Sequence, residues 1–249
     1  MFKKLIQKIR DIADGRKTFD PSLFGDPIAM QTDWTPANSG GANFRTHKLV
    51  NVNSRRLEFR ATIGAKLFFL SVLLFGMIFL LIGVGILLGF VYQFLSGGLS
   101  FDIETEIIPL LFGGLIFSLF GLIFSFFGGY LLYDGITPIV FDKQKGFFWK
   151  GRKSPDEVFD KKILPYFAKL EDIHALQLIS KHCSKNDGSY YSYELNLVLE
   201  NGKRINVVDH GNKNKLRKEA NNLSAFLAKP VWDAIDMIMD LSNLTTSEF

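Results

Sequence analysis

The chain has 249 residues, 47% of them hydrophobic, and a formal net charge of +4 from 29 basic and 25 acidic side chains. That length suits one or two domains. The single cysteine, Cys183, excludes an internal disulfide, and the basic residues are too dispersed to make the concentrated patch that nucleic acid requires, so no nucleic-acid partner is expected. Mean hydropathy is +0.14, high for a soluble protein. The excess lies in two blocks, which makes this a divided molecule.

Residues 1–18 form the first segment. Phe2, Leu5, Ile6, Ile9 and Ile12 recur at helical spacing, and Lys3, Lys4, Lys8 and Arg10 fall largely on the other side. This predicts a basic amphipathic helix, either on anionic headgroups of the inner leaflet or packed on its own protein. There is no apolar stretch of signal-peptide type and no small-residue cleavage site, so the first apolar block is expected to serve as its own insertion signal.

Residues 19–65 read as a cytosolic loop followed by a hairpin. Three prolines and "NSGGAN" mark 20–46 as loop-like. In "HKLVNVNSRRLEFRAT" Leu57 and Phe59 alternate with Arg56, Glu58 and Arg60, which predicts two strands around an Asn53-Ser54 turn.

Residues 66–133 hold the apolar blocks, spans 67–95 and 107–133, neither of which contains Asp, Glu, Lys or Arg. Each exceeds the roughly 20 residues a bilayer-spanning helix needs. Arg55, Arg56, Arg60 and Lys66 precede the first, and Lys143, Lys145, Lys150, Arg152 and Lys153 follow the second. The connecting "SGGLSFDIETE" has no basic residue. The positive-inside rule then predicts a two-helix transmembrane hairpin with both termini cytosolic, in a multi-pass protein of a bacterial inner membrane. Within the second span, Gly114, Ser118, Gly121, Ser125 and Gly128 alternate at steps of four and three, a narrow seam of small residues that lets helices approach closely. Gly76, Gly83, Gly85 and Gly89 form a partial counterpart in the first span. The seam is expected to pack span on span, with packing between copies in a homo-oligomer as the alternative.

Residues 134–249 are strand-rich. "ITPIVFD" and "GFFWKG" flank the turn "KQK", "KLEDIHALQLIS" becomes strand-like, and "YSYELNLVLENGKRINVVDH" is a hairpin. Its apolar alternation favours a three-residue loop, Glu200-Asn201-Gly202, that pairs Leu197 with Ile205 and Leu195 with Val207 and puts Gly202 in the left-handed region. A helix with a stripe of Leu216, Ala220, Leu223 and Leu227 follows. "VWDAIDMIMDLS" is expected to begin another helical turn or two, with Trp232 and Ile235 on one side.

The fold class is therefore membrane α+β: a two-helix hairpin plus a cytosolic antiparallel β domain closed by a C-terminal helix. The stretches "PIVFDKQKGFFWKG", "LEDIHALQLIS" and "YELNLVLENGKRINVV", with the helix from Lys213, resemble the pleckstrin-homology-like domain of bacterial two-span inner-membrane proteins. The resemblance covers about the last 115 residues and is a pattern of elements rather than a motif. It implies a binding scaffold of about seven strands; the hairpin at 47–61 could supply strands the C-terminal region lacks.

Chemistry is sparse. His47, His174, His182 and His210 have no metal-ligand spacing, and His182 and Cys183 would point to opposite faces of a strand. No phosphate loop or nucleophile elbow is present. Glu171 and Asp172 suit turn duty better than acid–base work. No catalytic, cofactor-binding or metal-binding residue is assigned, no cofactor is expected, and the chain is read as a non-enzyme. The expected function is a membrane-anchored binding or adaptor protein with a protein partner at the cytosolic face, and Lys3, Lys4, Lys8, Arg10, Lys150, Arg152 and Lys153 are candidate contacts with anionic lipid. The alternatives are an immunity protein that neutralises a membrane-acting or secreted toxin, an oligomeric channel, and an accessory subunit of a transport or secretion complex.

Overall fold

The computed structural model describes residues 19–38, 40–97, 107–157, 166–185 and 188–237. The expected helix at the N-terminus, with Lys3, Lys4, Lys8 and Arg10, lies outside them, as does most of the stretch joining the two apolar blocks.

Two units separate. One consists of residues 61–137; the other combines the chain before Ala61 with the chain from Pro138 onward. The first unit is a pair of helices, α2 (Ile63–Leu95) and α3 (Ile108–Gly135). Thr62 caps α2, its side chain accepting from the amide of Ala65, so this helix starts slightly before the expected span. Both helices are long and apolar enough to cross a membrane. At about 1.5 Å per residue the 33 residues of α2 extend roughly 50 Å, beyond a hydrocarbon core of about 30 Å. Their sides are covered with exposed large apolar groups, including Leu81 at 67% and Phe126 at 80%. A helix in a soluble core would bury those groups.

The seam lies between the two helices. Gly114, Gly121 and Gly128 are buried. A Cβ at Gly121 would stand 2.6 Å from Leu80 Cα and 2.8 Å from Gly76 O, and one at Gly128 would stand 2.6 Å from Leu73 N. From α2, a Cβ at Gly76 would meet the backbone of Phe124 and Ser125, and one at Gly83 would meet Ser118. Positions rise along α3 as they fall along α2, so the pair is antiparallel. Gly85 and Gly89 have open space around them and take no part in the seam. They sit two and six residues past Gly83, off the sevenfold line through Gly76 and Gly83.

The second unit contains two sheets and one long helix. The five-stranded sheet runs β1 (His47–Asn53), β2 (Arg56–Ala61), β3 (Ile139–Asp142), β4 (Phe147–Lys150), β5 (Phe167–Lys169). β2 pairs with β3 from Arg56↔Asp142 to Phe59↔Ile139, so strands on either side of the helix pair in sequence belong to one sheet. The β1–β2 turn is one residue later than expected, at Ser54-Arg55, because Asn53 Oδ1 accepts from the Arg55 amide at 2.9 Å. Asp142 organises the β3–β4 turn likewise, accepting from the amides of Gln144 and Lys145.

The four-stranded sheet has the order β8 (Arg204–His210), β7 (Gly188–Leu199), β6 (Ile173–Lys185), β9 (Val231–Asp233). β9 corrects the start of the helical stretch expected in "VWDAIDMIMDLS": Val231–Asp233 is a strand parallel to β6, and helix begins only at Ile235, running through Met237, the last described residue. Trp232 and Ile235 accordingly enter different apolar clusters instead of sharing a helix face. The β7–β8 turn has Gly202 at φ +73°, and Leu197 pairs with Ile205, as the alternation predicts. Beyond that the register shifts: Leu195 pairs with Val208 instead of Val207. A bulge there lets both valines enter the core and turns Asp209 to the opposite face.

One core serves both sheets. Leu57, Phe59, Phe141 and Phe148 come from the first, and Leu176, Leu178, Leu195 and Leu197 from the second. Helix α4 (Lys213–Leu227) adds Leu216, Ala220 and Leu223. The expected stripe is thus the buried face, though Leu227 at its end is only partly buried. The stretch 20–46 is not merely loop. Asp20 and Asp26 each cap a short turn begun by proline: a 3-10 turn at Pro21–Phe24 and helix α1 (Pro27–Gln31). Asp-Pro is a start signal in sequence, an N-cap followed by a residue whose φ is already helical.

Candidate functional site

The four-stranded sheet has one apolar face and one that is polar through its middle, with Ala175, Val198 and Trp232 packed at one end and Ile179 opposite Glu194. Along β6, Gln177 and Lys181 lie on the polar side; β7 adds Ser192, Glu194 and Asn196; β8 adds Arg204, Asn206 and, through its bulge, Asp209. An outward face of this kind would ordinarily be solvated. Here Gln177, Ser192, Glu194 and Asn196 are wholly buried and Lys181 is 5% exposed.

At the centre, Lys181 Nζ lies 2.7 Å from Glu194 Oε1 and 3.5 Å from Asp209 Oδ2. Burial by itself would lower the Lys181 pKa, but the hydrogen bond with Glu194 and the charge of Asp209 hold it above the usual lysine value. Burial pushes the Asp209 carboxyl up, against the pull of Lys181, and burial also lowers the pKa of Arg204. Neutral groups link the charges. Asn196 Nδ2 donates to Gln177 Oε1 and Glu194 Oε2, both at 3.3 Å, and Asn206 Nδ2 donates to Asn196 Oδ1 at 3.0 Å.

The cover is the segment 33–42, of which residue 39 lies outside the described set. The sheet holds it almost entirely by main chain. Gln177 Nε2 donates to Asp33 O at 3.0 Å and Arg204 Nη1 to Thr35 O at 2.7 Å. The amides of Ala37 and Asn38 donate to the two carboxylate oxygens of Glu194 at 2.8 and 3.3 Å. Lys181 Nζ donates to Asn38 O at 3.1 Å and also to Gly40 O. Tyr190 OH donates to Gly41 O at 3.1 Å, and the Ala42 amide to Ser192 Oγ at 3.0 Å. Gly41 lies so close that a Cβ there would stand 2.6 Å from Ser192 Cβ and 2.7 Å from Cys183 Sγ.

The segment is anchored upstream and downstream. Upstream, Trp34 stacks on Phe24 with ring centroids 5.1 Å apart, and Trp232 lies 6.0 Å from Trp34. Next to this cluster His174 sets Nε2 2.7 Å from Asp26 and Nδ1 3.1 Å from Glu200. Downstream, Arg45 pairs with Glu219 of α4, which also accepts from the Leu49 amide at 3.1 Å.

His210 sits in that corner, fully buried, its Nδ1 accepting from the Asn212 amide at 2.9 Å. Burial and then the nearby Arg45 charge lower its pKa from 6.5 to about 4. The folded value lies below the unfolded one, so the associated stability is present above pH 6.5 and is lost as pH falls towards 4. The loss is about 3 kcal/mol. His210→Asn, which keeps an acceptor for the Asn212 amide without titrating, should flatten the part of the acid-stability curve between pH 6.5 and 4. Urea unfolding of the full chain across that range checks this; an unchanged curve would assign the acid sensitivity to other groups.

The residues singled out by sequence fall in separate places. Lys150 ends β4 opposite Ile139, with its Nζ 5.6 Å from the Tyr166 ring centroid, and Arg152 and Lys153 are exposed just beyond. The Gly151 amide donates to Pro138 O at 3.0 Å, so this basic stretch lies beside the start of β3. His182 and Cys183 do face opposite ways: His182 lies against Tyr191 at 5.2 Å, whereas Cys183 lies under Gly41. Glu171 and Asp172 sit in the β5–β6 turn, with Glu171 paired to Lys169. Among the described residues no group of three or more His, Cys, Asp or Glu is placed to hold a metal ion. Comparison with family models, with curated proteins and with solved structures returned no match.

Proposed function

We propose that this chain is a non-catalytic, membrane-anchored adaptor whose β domain, of pleckstrin-homology-like type, binds a protein partner at the cytosolic face of an inner membrane. The observation that carries this reading is the pairing of β2 with β3. β2 runs into α2 through Thr62, and α3 runs back into β3 through residues 136–138, so a single sheet holds the chain at both ends of the helix pair. Such an arrangement suits a binding body that carries its anchor as an insertion between two strands of one sheet. The basic residues flanking the spans favour a topology with both termini in the cytosol by the positive-inside rule. The cluster at Lys150, Arg152 and Lys153 suits anionic headgroups, each charge contributing about 1 kcal/mol near such a surface. The Lys181–Glu194–Asp209 group is committed to holding a backbone, which favours recognition over catalysis.

Two measurements test this. A membrane-impermeant maleimide should label Cys183, the only thiol in the chain, in inside-out vesicles and not in right-side-out ones; the reverse pattern would invert the topology. A photo-crosslinking side chain at the exposed positions Val52 and His182 should give adducts with a second protein in cells, and their complete absence would remove the adaptor reading. For lipid contact, hydrogen exchange of residues 147–157 should slow in nanodiscs containing anionic lipid relative to neutral ones. Equal rates would exclude the basic cluster as a headgroup site.

A further inference from the structure

Segment 33–42 shows what the polar face of the β6–β8 sheet can recognise. The side chains beneath it address carbonyls and amides, and apart from Asp33, whose carboxylate lies 3.8 Å from Arg204 Nη2, its own side chains contribute little: Thr35, Pro36 and Ala37 are exposed, as are Gly40 and Asn43. Between Trp34 and Phe44 the segment places no apolar group in a core cluster. Recognition is therefore of a main chain bent at Thr35, Ala37 and Asn38, with one steric condition, a residue without a Cβ at the position of Gly41.

The floor also holds together internally. Lys181 keeps Glu194 and Asp209, Asn196 keeps Gln177 and Glu194, Asn206 keeps Asn196 and Asp209, and Arg204 Nη1 keeps Gln177 Oε1 at 3.1 Å. If the segment lifts, every one of these groups retains a partner within the sheet and water can take the vacated positions. Opening thus exposes a preformed polar groove without leaving an unpaired buried charge.

We infer that residues 33–38 and 40–42 belong to a displaceable cover, and that the groove beneath receives a glycine-containing segment of a protein partner, bent as this one is and bound through its main chain. This rests on the adaptor reading and specifies the site it uses. The built-in segment competes at an effective concentration of about millimolar, so a partner would have to hold the groove together with a second contact, or meet a cover already loosened.

Gly41→Cys provides a lock. Its Cβ would stand 2.7 Å from Cys183 Sγ, within reach of a disulfide, while in the reduced state the same Cβ crowds Ser192 and loosens the cover. The probe is a fluorescent peptide of sequence TPANSGGANF, residues 35–44, added to the full chain in detergent and followed by anisotropy. The expected order of affinity is reduced Gly41→Cys, then wild type, then oxidised Gly41→Cys, with at least about a tenfold gap between the reduced and oxidised forms. The same peptide with leucine for its second glycine should not bind. Hydrogen exchange should show the amides of Ala37, Asn38 and Ala42 in the wild-type chain opening at least about a hundredfold faster than the β6–β7 ladder.

Equal binding by the reduced and oxidised proteins, no binding by the reduced protein, or cover amides that exchange only with the ladder would each overturn the inference. The adaptor reading fails separately, through absence of adducts at Val52 and His182. Adducts there that persist in the locked protein would overturn the displaceable cover and leave the adaptor standing.

Discussion

Lys181→Met is expected to lower the unfolding free energy of the chain by about 3–5 kcal/mol. Methionine fills much the same volume, so the loss is electrostatic. Glu194, wholly buried, would keep its charge with two backbone amides, Asn196 and the more distant charge of Arg204 to stabilise it. Asp209 would lose its one nearby cation and remain beside Glu194. Removing one partner of a buried pair costs more than the pair contributes, because the remaining charge cannot reach water. Glu194→Gln in the same chain should recover part of the loss, since a neutral amide needs no counter-ion. Denaturant unfolding followed by near-ultraviolet dichroism reads both variants. A loss under about 1 kcal/mol for Lys181→Met would mean that water reaches Glu194 in the folded protein and that the network is a surface feature.

Gly121→Leu should separate the helix pair. The obstruction is backbone against backbone: a Cβ there meets Leu80 Cα at 2.6 Å and Gly76 O at 2.8 Å, and no rotamer change relieves it. Overpacking of a core commonly costs about 1–3 kcal/mol, and a clash with main chain belongs at or above the top of that range. Gly113→Leu is the matched control, on the same helix with nothing within 4 Å of its Cβ position. Cysteines placed at Leu73 and Gly129, in the Cys183→Ser background, should crosslink in the control and fail to do so with Gly121→Leu. Crosslinking that survives Gly121→Leu would show that the glycines are not what sets the helix separation.

These two sites were unequally visible in the sequence. The seam could be read because its information is local: small residues at steps of four and three on one helix define a stripe whatever it packs against. Gly85 and Gly89 fall out of it because composition suggested them where periodicity did not. The Asp20-Pro21 and Asp26-Pro27 starts are equally local, but three prolines in one short stretch resemble loop composition and mask them. The β7–β8 register was legible up to the bulge. Alternation predicts which residues face inward only while the count stays in step, and adjacent Val207 and Val208 gave no sign of which would break it. β9 was beyond local reading, since a strand of three residues exists only because β6 offers it an edge.

The sequence by itself determined the division into an apolar helix pair and a β-rich unit, the glycine seam, and the hairpins with their turn chemistry, because each follows from hydropathy or from spacing within a few residues. Tertiary structure alone decided that strands before and after the helices share one sheet, and that Lys181, Glu194 and Asp209 are buried. In sequence those three are polar members of alternating strands, indistinguishable from a solvated face. Their burial comes from a cover more than a hundred residues away in the chain, held through carbonyls and amides. Every residue carries the carbonyl and every residue but proline the amide, so they leave almost no mark in the order of side chains.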